Sequence, residues 1–97
     1  MRIIKVNTLK EYRTKHRETE EQLRAWVGFV KKAKWEKPAA IKKQFAEASI
    51  LGSNRAVFDI CGGNYRLVVK VNYGHQIVYI RFIGTHLQYD KINAEEI

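Results

Sequence analysis

Side chains suited to binding and cleaving RNA without a metal gather near the end of the chain: Arg66, Arg81, His86, Tyr89 and Lys91. RNA supplies its own nucleophile, because the ribose 2′-hydroxyl attacks the adjacent phosphate. Guanidinium groups stay protonated and match phosphate oxygens with paired donors, which predicts that Arg66 and Arg81 hold the transition state. Histidine exchanges protons near neutral pH, which predicts His86 as a proton carrier. Tyr89 is predicted to stack on a base or to stand near the 2′-hydroxyl, and Lys91 to neutralise phosphate charge.

Structural interpretations remain open for two of these residues. Arg66 can form an ion pair with Asp59 across a predicted hairpin, as arginines on strands often do. His86 can cap a turn after Thr85. The hypothesis of a catalytic site depends on convergence, because the candidates fall on two neighbouring strands and on the segment after them.

Other catalytic chemistries lack their residues. No pair of His or Cys has the spacing of a zinc site, so neither a metal nor a cofactor is predicted. The run Gly62-Gly63-Asn64 is too short for a phosphate-binding loop and predicts a tight hairpin with positive backbone φ. Cys61 is placed in an apolar strand, which favours a buried, inert thiol over a nucleophile.

Positive charge is concentrated in the first half of the chain. The net charge is +8, and residues 1–43 contain 13 Lys or Arg against 5 acids. This excess favours a polyanionic partner, because each neutralised phosphate releases counterions. A lysine-rich segment is predicted to bind RNA through Lys31, Lys32, Lys34, Lys42 and Lys43. The alternative is that these lysines only solvate helices.

Size and cysteine content limit the class of protein. The 97 residues suit one domain, residues 1–97, with a single core. One cysteine excludes an internal disulfide and fits a reducing compartment. No stretch is long and apolar enough to span a membrane, and the first residues do not read as a signal peptide. A cytoplasmic protein is expected.

Helical signals fill the first half after a short strand at residues 3–6. Residues 8–11 and 19–22 have the spacing of a capping box, in which side chains satisfy free amides at a helix start. They predict one helix over residues 9–17 and a second from Thr19. The second has an apolar stripe at helical spacing: Leu23, Trp26, Val27, Val30 and Ala33. Pro38 predicts a third, short helix over residues 38–45.

Three strands follow, over residues 55–60, 65–73 and 77–83. Their connections are short enough for antiparallel hairpins, which predicts a meander. Alternation assigns one face to the helices: Ala56, Phe58, Ile60, Leu67, Val69, Val71, Val78, Ile80 and Phe82. The other face is predicted to meet water: Arg55, Asp59, Arg66, Lys70, Asn72, Tyr79 and Arg81. Arg55, Lys70 and Tyr79 are therefore predicted to contact RNA. The element order describes an α+β domain.

Four motifs in this order resemble the HigB toxins of the RelE superfamily: Asn54-Arg55, Gly63-Asn64-Tyr65-Arg66, Tyr79-Ile80-Arg81, and Thr85-His86-Leu87-Gln88-Tyr89-Asp90-Lys91. The resemblance implies a RelE-like fold, with an N-terminal strand, two to three helices and a three-strand meander packed on them. It also implies an endoribonuclease that cuts mRNA, in many relatives on the ribosome.

The same resemblance implies a partner, a HigA-type antitoxin with a helix-turn-helix domain. Toxin and antitoxin together are expected to bind operator DNA and repress their operon. Two other functions remain open: a non-catalytic module that binds RNA or protein, and a toxin of the related ParE type that inhibits DNA gyrase.

Overall fold

Five strands form one mixed sheet, and three of the four helices cover one of its faces. The computed structural model describes residues 1–97. In chain order the elements are β1 (Arg2–Ile4), α1 (Val6–Lys15), α2 (Glu20–Lys32), α3 (Pro38–Gln44), β2 (Ser49–Ile50), β3 (Arg55–Ile60), β4 (Tyr65–Asn72), β5 (Ile77–Thr85) and α4 (His86–Tyr89). The order across the sheet is β1-β5-β4-β3-β2, with β1 parallel to β5 and the other pairs antiparallel. The predicted α+β class, consistent with a RelE-like fold, is confirmed.

The predicted three-strand meander forms, and one further strand joins it. β3 has the predicted bounds, while β4 ends one residue earlier and β5 two residues later than predicted. The additional strand, β2, pairs Ser49 with Val57 and Ile50 with Ala56. Two residues are too few to show an alternating pattern, so the sequence gives no sign of it.

The helices form close to where they were predicted, but neither predicted capping box closes. α1 begins at Val6, before Thr8, and follows Lys5 in the left-handed conformation with φ of 67°. The Thr19 hydroxyl donates instead to the carbonyl oxygen of His16 at 2.6 Å, in a 3-10 turn that leads into α2. The longest helix, α2, has 13 residues, and none of the four is long and apolar enough to cross a bilayer.

The core lies between the helices and the sheet, around Phe58. Trp26 meets Phe58 edge to face with ring centroids 5.3 Å apart, and Trp35 stacks on it at 6.2 Å. Leu23, Trp26 and Val30 are all buried, so the predicted inward stripe of α2 is confirmed. This packing holds β3 in place within the sheet that carries the candidate site.

Candidate functional site

A β-bulge at Arg81 determines which side chains lie on the open face of the sheet, the face opposite the helices. Val68 pairs with Phe82 and Val69 with Ile80, which leaves Arg81 in β5 without a partner in β4. The extra residue reverses the alternation of side chains beyond it. Phe82 therefore packs on the open face, and the prediction that it faces the helices is wrong. The other strand residues predicted for the helix face do lie in the core.

The last residues of the chain cover half of this open face. Ala94 is buried against Val57 and Val68 in a second, smaller apolar cluster. Phe82 and Tyr89 pack against the same cluster. The prediction that the whole open face meets water is therefore wrong. The centre of this face, over β3 and β4, lies under α4 and the segment after it.

Arg66 is held in place by three neighbours on that covered half. Its guanidinium forms an ion pair with Asp59, directly opposite on β3, with Nε and Oδ1 3.4 Å apart. Nη1 donates to the carbonyl oxygen of Gly63. The guanidinium carbon lies 5.9 Å from the centroid of the Tyr89 ring, a cation–π distance. The predicted ion pair of Arg66 with Asp59 is therefore observed. A guanidinium has five N–H donors, so some donors of Arg66 remain free to bind an anion.

A recess of about 530 Å³ opens on the uncovered half of the face. Arg81 and Lys70 line it, together with Tyr79, which pairs with Lys70 across β4 and β5. No carboxylate lines this recess, and Arg81 forms no ion pair. The uncovered half is therefore a cationic surface whose donors are free; we call it the Arg81 recess.

His86 begins α4 and lies apart from the Arg81 recess. A closed capping box starts this helix, in which Thr85 Oγ1 accepts from the Gln88 amide at 3.2 Å and Gln88 Oε1 accepts from the Thr85 amide at 2.9 Å. His86 is exposed and lines a different recess, beside Tyr65 and Glu18. Thr85, not His86, is the capping residue.

A hydrogen-bonded cluster near His86 is not visible in the sequence. Tyr65 donates its hydroxyl proton to Glu18, and His16 Nδ1 lies 3.8 Å from the same carboxylate. The hydrogen bond to Glu18 raises the pKa of Tyr65 to about 12, and it lowers the pKa of Glu18. Tyr65 and Glu18 are 47 residues apart in the chain, so no local pattern reveals their contact.

The turn after β3 has the backbone that its glycines predict. Gly62 and Gly63 have φ of 66° and 95°. Cys61 begins this turn with φ of 53°, rather than lying within the strand as predicted. Burial, followed by the nearby charge of Glu18, raises the pKa of its half-buried thiol. The thiol therefore stays protonated at neutral pH and is a poor nucleophile.

The first three lysines of the predicted lysine-rich segment lie close to the Arg81 recess. Lys31, Lys32 and Lys34 are exposed and line a recess together with Tyr73 and Gly74, at the turn between β4 and β5. Tyr73 and Gly74 also line the Arg81 recess. The two cationic surfaces therefore meet at this turn.

Two other predicted RNA contacts bind backbone carbonyl groups instead. Lys42 donates to two carbonyl oxygens just after α3, each at 2.7 Å. Arg55 is only 8% exposed and donates through Nε to the carbonyl oxygen of Ile97 at 3.0 Å. The prediction that Arg55 faces water is wrong. Lys43 and Lys91 are exposed.

Of the four predicted catalytic residues, only Arg66 and Tyr89 lie together. Arg66 lies over the ring of Tyr89 on the covered half of the face, and Arg81 lines the uncovered half. His86 lines a third surface at the end of the sheet. No three His, Cys, Asp or Glu side chains are grouped as the ligands of a metal ion would be.

A family model matches most of the chain. It describes the HigB toxin, a RelE-like toxic component of a toxin-antitoxin system, and it matches residues 19–92. The matched part extends from the start of α2 to just beyond α4 and includes Arg66 and Arg81. No curated protein matches the chain.

Proposed function

The chain belongs to the HigB family of RelE-like toxins of toxin-antitoxin systems, and from this premise we propose that it is a metal-independent endoribonuclease that cleaves mRNA. The observation that carries the proposal is the position of Arg81. It is exposed on a β-bulge, in a recess with Lys70 and Tyr79 that contains no carboxylate. Bulges recur beside active sites, where they redirect a side chain. An unpaired guanidinium directed into a cationic recess is suited to bind phosphate.

The proposed reaction needs no group that this chain lacks. The 2′-oxygen forms a bond to phosphorus while the bond from phosphorus to the 5′-oxygen breaks, leaving a cyclic phosphate and a 5′-hydroxyl. Arg81 stabilises the non-bridging oxygens, whose negative charge grows in the phosphorane. One proton leaves the 2′-oxygen and another reaches the 5′-oxygen. His86 and Tyr89, both on α4, are the proposed carriers. Because His86 lines a recess separate from that of Arg81, this role requires α4 to move toward the Arg81 recess when RNA binds.

Arg66 has a supporting role in this proposal. Asp59 already neutralises part of its charge, so it contributes less to phosphate binding than the unpaired Arg81. Its contact with the Tyr89 ring orients that side chain instead. Lys31, Lys32 and Lys34 bind the RNA strand where it leaves the Arg81 recess, past the turn between β4 and β5.

Arg81→Ala tests the proposal, with Arg24→Ala as a control of equal charge change. Arg24 lies on α2 in an ion pair with Glu20 at 3.5 Å, away from the open face. Arg81→Ala should lower the rate of mRNA cleavage by about 10²–10³-fold, while Arg24→Ala should leave it unchanged. The measurement is cleavage of a defined mRNA, with and without ribosomes, by purified variants.

The same assay separates the proposal from other functions. A non-catalytic RNA-binding module would give no cleavage in the wild type, and Arg81→Ala would lower RNA affinity alone. Transcript mapping after brief expression adds an independent check. Intact transcripts together with damaged DNA would contradict the nuclease and indicate inhibition of gyrase.

The identity of the antitoxin is a more specific part of the same proposal. Family membership implies an antitoxin; we take it to be a HigA-type protein with a helix-turn-helix domain, through which the complex binds operator DNA. Reading the gene next to that of the toxin tests this directly. A neighbouring gene for a protein without a helix-turn-helix domain would contradict it.

A further inference from the structure

An apolar groove lies between α2, the segment after α3, and β3. Its volume is about 260 Å³, and eight of its eleven lining residues are hydrophobic. Phe29 and Phe45 meet edge to face along it with ring centroids 6.3 Å apart, and Phe29 is 55% exposed. An exposed aromatic ring that is part of a contiguous apolar surface is typical of a binding site.

The same groove borders a length of sheet edge that no strand covers. β2 pairs only with Val57 and Ala56, although β3 continues to Ile60. Phe58, Asp59 and Ile60 line the groove and have no neighbouring strand on that side. Free edges accept an added strand from another chain.

The backbone of Asp59 is directed toward this free edge. The carbonyl oxygen of Arg55 accepts from Leu51 at 2.9 Å, on the side of β2, and that of Asn54 accepts from Val71 at 2.8 Å, on the side of β4. Backbone groups of alternate residues point to the same edge of a strand. Asp59, four residues after Arg55, therefore directs its N–H and C=O away from β4, where β2 no longer reaches.

The charge and size of the groove limit what it binds. The groove has no Lys or Arg in its lining, in a chain of net charge +8. Its unpaired carboxylate is Glu47, because the Asp59 carboxylate is paired with Arg66 on the open face. A carboxylate without a cation beside it disfavours nucleic acid, and two copies of so basic a chain repel each other. The volume of about 260 Å³ is below the roughly 300 Å³ at which small-molecule pockets begin. A few apolar side chains of a peptide fit it better.

We infer that the groove binds an extended segment of the antitoxin. The segment adds as a strand to the free edge of β3, inserts an apolar side chain between Phe29 and Phe45, and places a basic side chain against Glu47. The inference rests on family membership, which implies an antitoxin, and not on the nuclease proposal. The groove shares no lining residue with the Arg81 recess, so this contact does not itself occupy the cationic surface.

Phe29→Glu tests the groove, with Leu87→Glu as a matched control. These are the two large hydrophobic residues that are exposed, at 55% and 64%, and Leu87 lies outside the groove. The probe is the purified antitoxin encoded beside the toxin gene, titrated calorimetrically. Phe29→Glu should weaken its affinity at least about tenfold, roughly the effect of one interface residue, and Leu87→Glu should not. Equal affinities for the two variants would overturn the inference.

Two further measurements keep the test independent of folding and of catalysis. Without antitoxin, Phe29→Glu should inhibit growth like the wild type. In the wild-type complex, the Asp59 amide should exchange with solvent far more slowly than in free toxin. Unchanged exchange of the Asp59 amide would refute the added strand even if Phe29→Glu failed to fold. A homodimer of free toxin that Phe29→Glu dissociates would place a second copy in the groove and would also overturn the inference.

Discussion

Arg66 and Arg81 lie on neighbouring strands of one face but differ in what surrounds them. Arg66 has Asp59 opposite and a carbonyl oxygen beside it, so most of its electrostatic interaction is satisfied within the fold. Arg81 has no such neighbour, because the bulge removes it from the pairing of β4 with β5. The two arginines are thus distinguished by whether their donors have partners within the fold, and a sequence shows residue types without showing those partners.

The pair of Tyr65 and Glu18 gives a prediction at this scale, tested by Tyr65→Phe. The hydrogen bond lowers the pKa of Glu18, so its contribution to stability is present above the ordinary value of 4.5 and is lost as pH falls through the folded-state value. It raises the pKa of Tyr65 from 10.0 to about 12, so the contribution is present below pH 10.0 and is lost as pH rises toward 12.

Thermal unfolding of the wild type and of Tyr65→Phe should therefore differ most at neutral pH. The melting temperature of the wild type should be higher there, and the difference should shrink toward both pH extremes. A difference that persists undiminished in acid would contradict the pairing, because it would not depend on the ionised Glu18.

Among the elements, the junction of β5 and α4 controls the candidate site most directly. α4 carries both His86 and Tyr89, and its start is fixed by the capping box of Thr85 and Gln88. Gly84 precedes this box and leaves room for the ring of Phe82. A Cβ at this position would lie 2.6 Å from Phe82 Cζ and 2.7 Å from Gln88 Oε1.

Gly84→Ala should consequently destabilise the fold, by about 1–3 kcal/mol as for overpacked sites, and should lower cleavage because α4 shifts. Gly28→Ala is the matched control. Gly28 lies within α2, and an added Cβ would meet nothing within 4 Å. That variant should gain up to about 1 kcal/mol from helix propensity. Urea unfolding measures both free energies, and similar values for the two variants would show that the junction is not tightly packed.

The elements that sequence patterns predict are those whose signal is local and long. α2 and the three meander strands have apolar residues that recur at helical or alternating spacing, and each was located closely. The bulge at Arg81 depends on the pairing with β4, so Phe82 was assigned to the wrong face. The burial of Arg55 depends on Ile97, 42 residues away. The candidate site was therefore predicted in its residue types but not in its grouping.

Over the whole molecule, charge separates two surfaces of different chemistry. The Arg81 recess and the recess at Lys31, Lys32 and Lys34 meet at the turn between β4 and β5 and form one cationic surface. The apolar groove along β3 has no Lys or Arg in its lining, and its unpaired carboxylate is Glu47. This separation of charge supports the two proposals, in which RNA binds the cationic surface and a protein partner binds the groove.

The salt dependence of RNA binding tests this division of charge. Replacing Lys31, Lys32 and Lys34 by Gln should reduce the slope of log affinity against log salt by about 2, since each phosphate contact on single-stranded RNA contributes about 0.7. Replacing Lys5, Lys10 and Lys15 by Gln removes equal charge from exposed positions that line neither cationic recess. This control should keep the wild-type slope, because only lysines that displace counterions from phosphate contribute to the slope. Titration of a labelled single-stranded RNA at several salt concentrations gives both slopes, and equal slopes would confine RNA binding to the Arg81 recess.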